Sequence, residues 1–146
     1  MEINIRKADE NDFPAIVGLI QEFAHFQKSA DKVTITAEQM QLEKHLFNCF
    51  VAENEQHEII GFATYFFSYY SWTGKALYLD DLYVKESCRG NSVGTQLFNA
   101  VIELAKESNC IKLRWQVSNW NKNAINFYKK MGAVIDEVEI NCDLVF

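Results

Sequence analysis

Between Ala76 and Val117 the chain reads strand, glycine-bearing turn, helix, strand, and no other stretch limits its fold as tightly. Residues 76–84 form an apolar-rich run that ends at Val84. Arg89-Gly90-Asn91-Ser92-Val93-Gly94 then breaks the run, and Val93, Leu97, Val101, Leu104 and Ala105 recur at helical spacing directly afterwards. Ile111-Lys112-Leu113-Arg114-Trp115-Gln116-Val117 alternates as a strand. Two strands joined through a helix lie parallel, and the crossover is right-handed.

The flanking segments extend this unit. Residues 3–6 alternate like a strand, and Asp9 offers an N-cap to a helix whose apolar positions run from Phe13 to Phe26, with Pro14 in its tolerant first turn. Thr36 and Gln39 fit a capping box for a second helix. Residues 49–53 and 59–67 read as an antiparallel hairpin. After the crossover come a helix from Asn121 to Met131, closed by Gly132, and two short strands around 134–138 and 142–146. The order β-α-α-β-β-β-α-β-α-β-β predicts one α/β (α+β) domain over residues 1–146, built on a single mixed, mostly antiparallel sheet. The 146 residues suffice for one sizeable core.

Charge and composition narrow the partners. Net charge is −6 and no Lys/Arg cluster appears, which argues against nucleic acid. An acidic surface suits a cationic small substrate, and it equally suits a plain soluble surface. No apolar run approaches the roughly 20 residues of a membrane span. Residues 1–7 show no signal-peptide core, so cytoplasmic residence is expected. Cys49, Cys88, Cys110 and Cys142 are scattered and read as reduced thiols, with Cys88 an incidental loop residue. His25, His45 and His57 lack metal-ligand spacing, so no metal is expected.

The glycine turn carries the functional signal. A helix N-terminus presents unpaired N–H groups and a partial positive charge, and both attract phosphate. Arg-Gly-x-x-x-Gly sets a permanent cation and two flexible residues where the backbone must wrap an anion. The spacing is neither the dinucleotide fingerprint nor the P-loop, and the P-loop lysine is missing. Taken alone, the motif reads equally as a phosphate cradle or as an ordinary turn.

A second motif joins it at residues 120–133: Trp120-Asn121, then Ala124, Ile125-Asn126-Phe127-Tyr128-Lys129 and Gly132-Ala133. With Arg89 to Gly94, with Ile59-Ile60-Gly61-Phe62-Ala63, Tyr65-Phe66, Trp72-x-Gly74-Lys75 and Tyr78-Leu79-x-Asp81, it resembles the GCN5-related N-acetyltransferase (GNAT) superfamily. Within that superfamily the chain is similar to the diamine (spermidine/spermine) branch and its thialysine-acetylating relatives. The resemblance extends from Ile5 to Ala133.

It implies the GNAT fold, with a splayed parallel pair formed by the fourth and fifth strands and helices on both faces of the sheet. It also implies acetyl-CoA as co-substrate and a small-molecule amine as acceptor. The cofactor site is expected at Leu82, Tyr83 and Val84, whose backbone pairs with the pantetheine arm, and at Arg89, Gly90, Asn91, Ser92, Val93, Gly94 and Thr95, which hold the diphosphate. Asn121, Lys122, Asn123 and Ala124 line the far side of the arm, and Tyr128 sits beside the thioester sulfur as proton donor. Asp80, where the branch carries Glu, is the expected water-linked base or ammonium anchor. Because neighbouring strand residues alternate in direction, only one of Asp80 and Asp81 is expected to point into the site. Phe26, Gln27, Asp80, Arg114, Trp115 and Gln116 take the acceptor positions. Relatives of this branch are commonly homodimers, so a homodimer is expected.

The chain departs from the pattern at several points. Ser92 replaces a signature glycine, serving well at negative φ and less well at positive φ. Gln27 replaces a carboxylate, Arg114 adds a positive charge, and the Glu-Gly-Trp stretch after Ala133 is absent. A short amine or an amino acid therefore suits the acceptor side as well as a polyamine does. Acetylation of a protein or peptide, and a CoA-binding sensor without turnover, are the alternatives.

Overall fold

Five strands form one sheet in the order β1 (Asn4–Lys7), β2 (Asn48–Glu53), β3 (Ile59–Tyr70), β4 (Gly74–Val84) and β5 (Leu113–Arg114). The computed structural model describes residues 2–146. Each neighbouring pair is antiparallel except β4 and β5, which are parallel. The α/β expectation and the mixed sheet are therefore met.

Each face of the sheet buries against helices. Val51, Phe62 and Tyr83 pack with Phe13, Ile16 and Leu19 of α1 (Phe13–Phe26) and with Met40 of α2 (Ala37–Leu42). Ala63, Tyr65, Leu77 and Leu79 pack with Val93, Leu97, Val101 and Ala105 of α3 (Val93–Glu107). The helical spacing of the α3 residues explains their burial, because they share one face.

The helix ends follow from local chemistry. Asp9 and Asp12 form the capping box of a single 3-10 turn, Glu10–Asp12, that leads into α1. Thr36 Oγ1 accepts from the Gln39 amide at 3.1 Å and starts α2. α1 and α3 both close in Schellman geometry, with Ser29 N donating to Ala24 O at 2.8 Å and Cys110 N to Ala105 O at 2.9 Å. Their left-handed residues are Lys28 and Asn109.

Residues from Gln116 to Phe146 form a second compact unit. It contains α4 (Lys122–Lys130), capped by Asn121, whose side chain accepts from Ala124 N at 3.2 Å. Ala133 N donates to Tyr128 O and Gly132 N to Lys129 O, which closes α4 as Gly132 predicts.

Three strand expectations are corrected. The segment 111–117 pairs only at Leu113 and Arg114. Residues 134–138 and 142–146 form no strand, although their pattern suggests two. Period-2 patterning needs a partner edge, and no ladder partner exists for them among the described residues. Val134, Val138, Ile140, Leu144, Val145 and Phe146 are consequently exposed. No helix among the described residues is long and apolar enough to cross a membrane.

Candidate active site

Strand β4 runs past its partner. β5 pairs only with Leu77 and Tyr78, so on that side the edge from Leu79 to Val84 has no strand neighbour. This is the parting of the parallel pair that the sequence implies. The open edge leads through a 3-10 turn, Glu86–Cys88, into the glycine turn and α3.

The turn presents a row of amides. The backbone N–H groups of Gly90, Asn91, Ser92, Val93, Gly94 and Thr95 donate to no protein acceptor among the described residues; Gln96 N is the first to be paired, to Ser92 O at 3.0 Å. They lie at the start of a fifteen-residue helix, where the dipole adds positive potential. A cleft of about 540 Å³ is lined by Phe23, Leu82, Tyr83, Val84, Arg89, Gly90, Ser92, Val93, Gly94 and Thr95. Gly90 sits at φ +86°, and the space its missing Cβ would occupy is empty. A larger cleft of about 610 Å³ along α1 is lined by Asp12, Glu22, Glu53 and Glu58 as well as Lys85, and its four carboxylates do not suit an anion.

Ser92 takes φ +60°, in the left-handed region. Of the two cases open to Ser92 this is the less favourable one, and it gives a physical reason for the glycine of the family signature. Its Oγ accepts from Gln96 Nε2 at 3.2 Å but makes no cap to the helix amides.

Arg89 faces inward on the cleft. Its Nε donates to Val84 O at 3.2 Å, and its guanidinium stands 5.2 Å from the Phe26 ring and 5.3 Å from the Tyr83 ring. Tyr83 donates its hydroxyl to Glu22 Oε2 at 2.7 Å. Burial first, and the Glu22 acceptor second, push Tyr83 up to about 12, so the hydroxyl keeps its proton.

The carboxylates differ from the simple expectation. Thr64 pairs with Asp81 and Tyr65 with Leu79, so Asp80 is the extra residue of a β-bulge. Strict alternation fails there. Leu79, Leu82 and Val84 pack with the α3 cluster, whereas Tyr83 packs with α1; Asp81, two residues before Tyr83, shares the α1 face. Burial and the adjacent Asp80 charge push Asp81 up to about 6. Asp80 is more open to solvent, and the protein around it moves its carboxyl upward too. Of the pair Asp80 and Asp81, sequence reasoning gave the base role to Asp80, whereas Asp81 is the one on the α1 face with the more strongly raised carboxyl. Only the bulge, which no residue pattern announces, singles it out.

On the acceptor side, Phe26 and Gln27 stand at the C-terminal end of α1. Trp115 packs edge-on against Phe98 of α3 at 5.2 Å, on the α3 side of the sheet. Arg114 lies on the opposite face, beside its register partner Tyr78, with its guanidinium 4.7 Å from the Tyr70 ring, which Lys112 also covers. In the second unit, Gln116 donates to Asn141 Oδ1 at 3.2 Å. Tyr128 is half-buried on α4, with its ring 5.8 Å from that of Phe127. Lys122, Asn123 and Ala124 form the first turn of that helix.

A sheet whose parallel strands part over a row of bare amides offers an open strand edge leading into an anion-binding helix start. The profile of the acetyltransferase (GNAT) family matches residues 13–133. Thialysine N-epsilon-acetyltransferase of Bos taurus is 36% identical over 142 residues, covering 90% of this chain and 84% of that protein. Spermidine/spermine N(1)-acetyltransferase-like protein 1 of Homo sapiens is 35% identical over 140 residues, covering 89% of this chain and 20% of that protein. The solved structure of an aminoglycoside acetyltransferase from an uncultured soil metagenomic sample, in complex with trehalose, aligns with a TM-score of 0.78 at 22% identity, over 99% of this chain and 96% of that one. That last likeness speaks for the fold.

The chain belongs to the GNAT acetyltransferase family and is an N-acetyltransferase. Members of the family use acetyl-CoA as co-substrate. The open cradle at Gly90 and the six bare amides fit its diphosphate.

Proposed function

We propose that this chain transfers the acetyl group of acetyl-CoA to a primary amine of a small molecule, by direct attack within a ternary complex. The acceptor is a diamine, a polyamine, thialysine or a similar amino compound. Acetyl-CoA supplies the activated thioester. The amides from Gly90 to Thr95 hold the diphosphate beside the Arg89 charge, and the free edge at Leu82, Tyr83 and Val84 pairs with the pantetheine amides as an added strand. The resemblance assigns Asn121, Lys122, Asn123 and Ala124 to the same arm.

The acceptor must lose a proton before it attacks, since an alkylammonium has a pKa of about 10 in water. Asp81, raised to about 6, receives that proton directly or through water, and Asp80 beside it anchors the ammonium. The Leu82 N–H meets the developing oxyanion. Tyr128 returns a proton to the departing thiolate. Phe26 and Gln27 flank the acceptor, with Arg114, Trp115 and Gln116 farther along. The Arg114 charge beside Tyr78 disfavours a long polycation and suits a short diamine or an amino acid, whose carboxylate it tolerates.

One observation carries this reading: an unpaired strand edge runs into six consecutive unpaired amides. The names of the thialysine-acetylating relatives support the acceptor class. We also propose that the chain works as one acetyltransferase domain in the cytoplasm, consistent with its four free cysteines. The assembly is a homodimer that covers the exposed apolar residues after Ala133. A monomer in sedimentation at micromolar concentration would contradict the dimer.

Thiol release from acetyl-CoA, measured with thialysine, short diamines, polyamines, amino acids, aminoglycosides and peptides, tests the reaction. Turnover is expected with thialysine or short diamines. Activity confined to peptides replaces the small-molecule reading, and CoA binding without any turnover replaces the catalytic one.

A further inference from the structure

Arg89 belongs to the glycine turn by sequence and to the end of α1 by contact. Its guanidinium lies against Phe26 and Tyr83, Phe23 stacks on Tyr83 at 4.9 Å and 17°, and Tyr83 is tied to Glu22. Three residues of the last helical turns, Glu22, Phe23 and Phe26, therefore meet the turn through one arginine and one tyrosine. Only the Nε of Arg89 is engaged by the protein among the described residues, which leaves its terminal nitrogens for an anion. Phe26 is 48% exposed, and the Arg89 face is its covering from the glycine turn.

The end of α1 also carries backbone strain. Its closing residue, Lys28, occupies φ +56°, a position that glycine takes without strain. Whatever steadies Arg89 therefore acts on a helix end that carries backbone strain at Lys28.

We propose that Arg89 is a positioning residue that couples anion binding in the glycine turn to closure of the last turn of α1. A bound diphosphate holds the terminal nitrogens of Arg89, the guanidinium stays flat against Phe26 and Tyr83, and residues 26–29 are ordered beside the acceptor. Reciprocally, a closed α1 holds the arginine ready for the anion. The inference rests on the reading of Gly90 to Thr95 as the CoA diphosphate site. One exposed cation–π contact translates to a coupling of roughly two- to five-fold.

Hydrogen exchange of the full chain, with and without CoA, tests it. The reporters are the amides of Gln27, Lys28 and Ser29, which are bonded to Phe23 O, His25 O and Ala24 O. In the unmodified protein CoA is expected to slow exchange both at residues 93–97 and at 27–29. In Arg89→Lys, which keeps the charge and loses the flat face, CoA still protects 93–97 while the protection at 27–29 is lost, and CoA affinity falls about two- to five-fold. Phe26→Leu, which keeps the arginine, loses the same CoA-dependent protection. A purely structural role would alter exchange equally with and without CoA. Protection at 93–97 alone in the unmodified protein overturns the coupling, as does full protection at 27–29 in both variants. Absence of any protection by CoA overturns the diphosphate reading itself.

Discussion

Ser92 shows how one residue adjusts a binding loop. Holding a β-carbon at φ +60° costs roughly 1 kcal/mol that glycine does not incur. Ser92→Gly is therefore expected to tighten CoA binding several-fold by calorimetry; weaker binding would mean that the hydroxyl itself contributes. Asp81 sets the pH response. As its carboxyl is raised, the folded state holds the proton more strongly than the unfolded chain does, so ionised Asp81 opposes folding above pH 6, and the opposition fades as pH falls toward 4. Asp81→Asn should then stabilise the fold at pH 7 by about 1–2 kcal/mol, allowing for its partial solvation, and by nothing at pH 4. The same variant should lose about 10²-fold in kcat/KM and the acidic limb near pH 6. A limb that persists assigns the base elsewhere. Asp12 runs the other way: the Arg6 hydrogen bonds hold it low, and its contribution is lost on acidification. For Tyr128→Phe, kcat should fall about 10²-fold with CoA affinity unchanged, and an unchanged kcat removes Tyr128 from the chemistry.

At the scale of elements, the close approach of β3 to α3 seats the amide row. A Cβ on Gly61 would lie 3.0 Å from Tyr83 O and 3.2 Å from Leu97 Cδ1. Gly61→Ala is expected to destabilise by about 1–3 kcal/mol in denaturant melts, and an unchanged midpoint would mean that the helix shifts freely. Most elements were legible in the residues because their apolar periodicities are long: α1, α3, β3 and β4 each follow their pattern. The short ends were not. Residues 111–117 alternate over seven positions yet pair at two, and the alternating tail after Ala133 finds no edge. Alternation reports which sides of a strand differ, not whether a neighbour is present. The bulge at Asp80 was invisible for the same reason, since it depends on how two strands are matched.

Across the whole molecule, the cofactor turn expected from Arg89 to Gly94 coincides with a cleft and with the bare amides that open α3. Sequence reasoning reached less far at Asp80 and Asp81, where the bulge breaks the alternation on which the choice between them rested. The proposed cofactor site depends on the amide row meeting a diphosphate. Titration calorimetry with CoA measures that directly, using Gly90→Ala as the partner experiment. The added methyl meets nothing within 4 Å, so only the backbone conformation at φ +86° is disturbed. The account predicts one CoA per chain for the unmodified protein and an affinity roughly tenfold or more lower for Gly90→Ala. No heat with the unmodified chain, or equal affinity for both, would contradict it.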